Sequence, residues 1–66
     1  MQNSIRIERV RKRLTQQELA DILSVSRQTI MAIESGRFNP SVKLALKMAA
    51  LFECDVKDLL SLEDGD

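Results

Sequence analysis

Apolar residues recur along this chain at helical spacing, and most runs are bracketed by residues that start or stop helices. Ile7, Val10 and Leu14 fall at i, i+3 and i+7. They predict a first helix over about residues 4–13 that buries this stripe and presents Arg6 and Arg13 elsewhere. Thr15-Gln-Gln-Glu18 is a capping box, in which the Thr side chain serves the Glu18 amide and the Glu side chain reaches back to the Thr15 amide. A second helix starts there, carries Leu19, Ile22 and Leu23, and stops near Ser24. Ser26 is a suitable N-cap for a third helix over residues 27–35, with Ile30 and Ile33 pointing inward and Gly36 supplying the left-handed residue that ends it. Residues 37–41 read as a loop, because Pro40 biases Asn39 away from helical geometry and Ser41 caps the next helix.

The fourth helix runs from Val42 to about Phe52. Val42, Ala45, Leu46, Ala49 and Phe52 make one apolar stripe, and Leu44, Met48 and Leu51 make a second on nearly the opposite side, so this helix needs cover on more than one side. Asp55 opens a short fifth helix reaching about Leu60, with Val56, Leu59 and Leu60 apolar and Leu59 assigned to the core. The acidic tail, residues 63–66, is expected to fray. The pattern predicts an all-α fold, a bundle of about five short helices forming a single domain over residues 1–66.

Composition narrows the chemistry. A chain of 66 residues and 7.5 kDa buries only about 60% of its unfolded surface, enough for one small core. With 44% apolar and 30% charged residues, it is too apolar and too balanced for intrinsic disorder. His, Tyr and Trp are absent and Cys54 is the lone cysteine. Disulfides, Cys/His zinc sites and His-based triads are therefore excluded by count, so no metal, no cofactor and no enzymatic activity are expected. Glu18 is accounted for by its cap. No stretch resembles a signal peptide or a membrane span of roughly 20 apolar residues, and the expectation is a cytoplasmic protein.

Charge is informative by segment. Ten basic residues balance ten acidic ones over the whole chain. Residues 1–47 hold nine basic against four acidic residues, a net of +5, whereas residues 48–66 hold Lys57 against six acidic residues, a net of −5. One end suits a polyanion and the other does not.

Residues 16–35 read as two short helices joined by Ser24-Val25-Ser26, the layout of a helix-turn-helix, with small Ala20 at the crossing and Leu19, Val25, Ile30 and Ile33 as the contacts that fix the angle. The segment LTQQELADILSVSRQTIMAIESGRFNP resembles the lambda-repressor-like, or XRE-type, helix-turn-helix family. The length is similar to that of its short stand-alone members, one of which represses a cytolysin operon. Ser24 departs from the Gly common at this turn and is expected to adopt a positive φ at a small cost in stability.

The resemblance implies that the third helix enters the major groove and that its first residues meet base edges. Arg27, Gln28 and Thr29 occupy its first turn, and Met31 and Ala32 lie on the side away from Ile30 and Ile33. Gln28 carries the strongest expectation, since its amide matches adenine N7/N6. Arg27 suits guanine or a phosphate equally, and Thr29 suits a base or a thymine methyl. Ala32 either touches a thymine methyl or merely permits close approach. The same resemblance implies phosphate contacts from Gln16, Arg37 and Asn39. Arg13 reads as either a phosphate contact or a solvated cation, and Phe38 reads as a core plug in preference to a base wedge. Similar repressors place an Arg of the first helix against a Glu ending the recognition helix, which makes Arg9 and Glu34 a structural ion pair.

One recognition helix buries little surface, so a homodimer reading a palindromic operator is expected, with some of Leu51, Phe52, Cys54, Val56, Leu60 and Leu62 forming the self-interface. The leading expectation is a transcriptional repressor whose partners are double-stranded DNA and a second copy of itself, with no membrane and no small-molecule ligand. The alternative is an antitoxin-like module whose apolar, acidic end binds a protein partner.

Overall fold

Local caps decide where this chain turns. The computed structural model describes residues 2–61, which form helices α1 (Ile5–Arg11), α2 (Gln16–Leu23), α3 (Arg27–Glu34), α4 (Val42–Phe52) and α5 (Val56–Leu59). Thr15 and Glu18 close the capping box at α2, with the Glu18 amide donating to Thr15 Oγ1 at 3.0 Å and the Thr15 amide donating to Glu18 Oε1 at 2.9 Å. Ser26 and Ser41 cap α3 and α4 through their hydroxyls, each accepting an amide proton at 3.1 Å. The sequence expectation of an all-α fold holds, and its boundaries need small changes. α1 begins at Ile5 and ends at Arg11, α3 ends one residue early, and α5 is a single turn.

One closure ends four of the helices. Arg13, Ser24, Gly36 and Glu53 all have positive φ, between 56° and 80°. In each case the following amide reaches a carbonyl five residues back: Leu14 to Arg9, Val25 to Ala20, Arg37 to Ala32 and Cys54 to Ala49, at 3.0–3.1 Å. These bonds satisfy carbonyls that a helix end would otherwise leave open. Only Gly36 takes this geometry without a Cβ penalty. Ser24 behaves as the sequence suggested; the closures at Arg13 and Glu53 carry no glycine to announce them.

A two-residue antiparallel pair joins the two ends of the described chain. Strand β1 (Gln2–Asn3) lies against β2 (Leu60–Ser61), with Gln2 opposite Ser61, and the Ser4 amide donates to the Leu59 carbonyl at 2.8 Å. Two residues are too few to give an alternation pattern, so the sequence did not reveal this element.

The core gathers residues from all five helices: Ile5, Leu19, Ala20, Leu23, Ile30, Ile33, Leu44, Met48, Phe52 and Leu59, with Leu14, Val25, Leu51, Cys54 and Leu60 packed at its margin. Several apolar positions fall elsewhere than expected. Ile7 and Val10 are exposed and Ile5 is buried in their place, because the Ser4–Leu59 bond docks the start of α1 and Arg9, one turn after Ile5, also faces inward. Ile22 is exposed beside buried Leu19 and Leu23. On α4 the two stripes resolve into one face. At 100° per residue, Leu44, Ala45, Met48, Ala49 and Phe52 occupy an arc of about 140°, and Val42 and Leu46 lie beyond its edge, exposed.

Two further corrections bear on function. Phe38 is 49% exposed and plugs nothing; its amide donates to the Ala32 carbonyl at 3.2 Å, which wraps it over the end of α3 at the surface. Phe52 is 5% exposed and belongs to the core, so it is not available to a self-interface.

Candidate nucleic-acid interface

Helix α3 is held from below by two isoleucines. Ile30 and Ile33 are fully buried, and helical geometry then turns Arg27, Gln28 and Met31 to the opposite side, where all three are exposed. The expected base-facing residues separate on inspection. Arg27 and Gln28 project freely. The Thr29 hydroxyl lies 2.9 Å from Ser26 Oγ and takes part in the cap, which occupies one of its hydrogen-bonding positions and leaves the others and its methyl group. Ala32 is half-buried, and its carbonyl accepts from Ser35 Oγ, the Arg37 amide and the Phe38 amide. Met31, placed outward with Ala32 by the sequence but given no contact there, is 41% exposed. Its place one turn after Arg27 and three residues after Gln28 was a signal available in the sequence.

The far end of α3 is anchored to α1 and α2. Arg9 Nε donates to Glu34 Oε2 at 2.6 Å and Arg9 Nη2 donates to Glu34 Oε1 at 3.2 Å, a two-point pairing with side chains 12% and 5% exposed. Arg9 Nη1 donates to the Leu14 carbonyl at 2.8 Å, holding the turn that leads into α2. Gln16 Nε2 also donates to Glu34 Oε1, at 3.2 Å. One carboxylate thus ties together α1, the start of α2 and the end of α3, and every buried side-chain polar atom among the described residues has a partner. The Gln16–Glu34 bond was not foreseen; nothing in the spacing of the two residues indicates it.

The expected phosphate contacts divide into two groups. Gln16 and Arg37 are brought to one concavity beside α3, together with Arg6, Arg9, Met31, Glu34 and Ser35, and Arg37 Nε donates to Ser35 Oγ at 3.0 Å. Asn39 in the loop and Arg13 after α1 are exposed but do not line it.

The apolar acidic end has a different character. Val56 and Leu60 line an open groove with Pro40, Val42, Ala45 and Leu46, rimmed by Asp55 and Lys57. Leu51 and Cys54 are half-buried at the core margin, and Leu62 lies outside the described residues. Burial pushes the Cys54 thiol above its ordinary pKa, and the nearby carboxylates of Glu8, Asp58 and Asp55 push the same way; thiolate is therefore scarce at neutral pH and the group is a weak nucleophile. Among the described residues, no cluster of His, Cys, Asp and Glu could hold a metal ion, and no helix is long and apolar enough to cross a membrane.

Comparison with known proteins agrees with this geometry. A family model described as Helix-turn-helix matches residues 5–59, the stretch from buried Ile5 to buried Leu59. The chain is 46% identical over 66 residues to an uncharacterised HTH-type transcriptional regulator of Methanocaldococcus jannaschii, covering all of both chains. It is 41% identical over 66 residues to one of Archaeoglobus fulgidus, covering all of this chain and 94% of that one. It is 38% identical over 64 residues to one of Bacillus subtilis, covering 97% of each. With its capped α2, left-handed turn at Ser24 and outward-facing α3 all inside the matched region, this chain belongs to the helix-turn-helix family of transcriptional regulators, a DNA-binding class and not an enzymatic one.

Proposed function

We propose that this protein is a repressor that occupies a palindromic operator as a homodimer, each copy placing α3 in the major groove. The observation that carries the reading is the outward face of α3, where Arg27, Gln28 and Met31 are exposed over buried Ile30 and Ile33. Gln28 is assigned to adenine and Arg27 to guanine or an adjacent phosphate. Met31, apolar and flexible, suits a thymine methyl. Gln16, Arg37, Asn39 and Arg13 are assigned to phosphates, which fix position without reading sequence. Arg9 and Glu34 are assigned the task of holding α3 at its angle.

Two copies are required on this reading. The described chain measures 33 Å along its longest axis and carries one recognition helix, whereas a palindrome presents its half-sites about 34 Å apart. The groove lined by Val42, Leu46, Val56 and Leu60 is the proposed self-interface, in place of the set that included Phe52. Val42 and Leu46 are 77% and 57% exposed. Asp55 and Lys57 on the rim give a two-fold-related copy an opposite charge to face. Occupancy alone represses by denying the site to other proteins.

Selection of bound duplexes from a random pool tests the reading. An enriched inverted repeat with half-sites about one helical turn apart is the expected result. Recovery of sequences no different from the starting pool contradicts it.

A further inference from the structure

Arg6 was presented by the sequence as an outward residue with no task. It lies on the second position of α1, is exposed, and its side chain has no hydrogen-bond or ion-pair partner among the described residues. The fold nevertheless places it on the wall of the concavity beside α3, which Gln16 from the start of α2 and Arg37 from the loop after α3 also line. Three segments distant in sequence converge there.

The floor of this concavity contains a carboxylate, which would repel an anion if left uncompensated. Glu34 is compensated: Arg9 pairs with it through two nitrogens and Gln16 donates to the same carboxylate. Arg6, Arg9 and Arg37 against Glu34 leave a net charge of +2 around the cavity. The donors are also partly fixed. Gln16 uses one amide N–H on Glu34 and retains the other, since a primary amide has two. Arg37 is braced through its Nε by Ser35 and keeps its terminal nitrogens. At the start of α2 the capping box takes the Glu18 backbone amide, and the backbone N–H groups of Gln16 and Gln17 have no hydrogen-bond partner among the described residues, which adds positive helix-end potential at Gln16.

We infer that Arg6, Gln16 and Arg37 form a single cradle for one backbone phosphodiester of the duplex, so that Arg6 on α1 is a phosphate-binding residue acting jointly with Arg37. The inference rests on the proposed reading of α3, because a phosphate in this cavity lies alongside Met31 and Ser35 at that helix and its end. It adds α1 to the DNA-binding surface and makes two arginines 31 positions apart share one ligand. Neither consequence is contained in the helix-turn-helix itself.

The test uses the full chain and a duplex recovered by selection. Arg6→Gln, Arg6→Lys and Arg37→Gln are compared with the unmodified protein across a salt series and on duplexes carrying single neutral methylphosphonates. Arg6→Gln is expected to flatten the salt dependence by about one phosphate, so that the unmodified protein loses about 3.5-fold more affinity than the variant between about 50 and 200 mM salt. Arg6→Lys is expected to keep the full dependence, which also separates lost charge from lost folding. One methylphosphonate position is expected to cost the unmodified protein several-fold and both glutamine variants much less. Unchanged salt dependence in Arg6→Gln, or sensitivity of the two arginines to different phosphates, overturns the cradle while leaving the reading of α3 in place. Failure of the unmodified protein to select any duplex overturns both.

Discussion

Removing Arg9 or Glu34 alone should come close to unfolding this protein, whereas removing both should not. The pair is partly buried, at 12% and 5% side-chain exposure, and its geometry is two-pronged. Deleting one member leaves the other charged and shielded from water, which costs about 3–5 kcal/mol in comparable settings. Loss of Arg9 also frees the Leu14 carbonyl, and loss of Glu34 frees the Gln16 amide. A 66-residue chain has a total stability of only about 3–10 kcal/mol at the usual 0.05–0.15 kcal/mol per residue. Arg9→Met or Glu34→Leu is therefore expected to lower the melting temperature by at least about 12 °C, at roughly 4 °C per kcal/mol for a domain of this size. The double variant removes both charges and leaves a carbonyl and an amide that water can reach, a loss of about 1 kcal/mol. Urea unfolding of all four proteins, monitored by far-ultraviolet circular dichroism, closes the double-mutant cycle. Sulfate can be added to all four to extend the folded baseline of the single variants. A coupling energy of at least about 2 kcal/mol is expected. Additive losses, or single-variant losses below about 1 kcal/mol, refute the claim that this pair is what fixes α3 to α1.

Other residues give outcomes that can be checked separately. Gln28→Ala should cost about 1–3 kcal/mol of discrimination at one or two base positions, read from binding to a panel of single-base operator variants. Arg37→Ala should instead weaken binding to all of them alike and reduce the salt slope by about one phosphate. Glu53→Gly should raise the melting temperature by about 2–6 °C, because it relieves a left-handed residue worth about 1–2 kcal/mol and returns part of that as unfolded-chain entropy. Leu46→Glu should leave the helical spectrum intact and halve the mass seen by analytical ultracentrifugation. A mass unchanged from the parent would place the self-interface elsewhere.

The helix-turn-helix was legible because its signals are local. A capping box, a small residue, a serine cap and a glycine each act within four or five residues, and all four operate in the structure where the sequence puts them. The facing of α1 was not legible for a definite reason. A seven-residue helix with Ile5, Ile7 and Val10 offers two apolar faces, and the choice is made by contacts to Leu59 and Glu34, far along the chain. On α4 the residues were identified and their grouping was not, since the buried arc straddles the two stripes that spacing alone would draw. The outward side of α3 was legible in Arg27 and Gln28. Met31 was placed outward with Ala32 but given no contact, and the hydrogen bonds that the Ala32 carbonyl accepts at the helix end carry no local signal. The concavity that unites Arg6, Gln16 and Arg37 depends on three segments meeting, which no local pattern encodes.

The most direct test of the account is a map of backbone amide shifts as the isotopically labelled protein is titrated with a selected duplex. The account predicts that the largest changes cluster at Arg27, Gln28 and Met31, with a second group at Arg6, Gln16 and Arg37. Changes confined to α4 and α5, with the amides of α3 undisturbed, would contradict it.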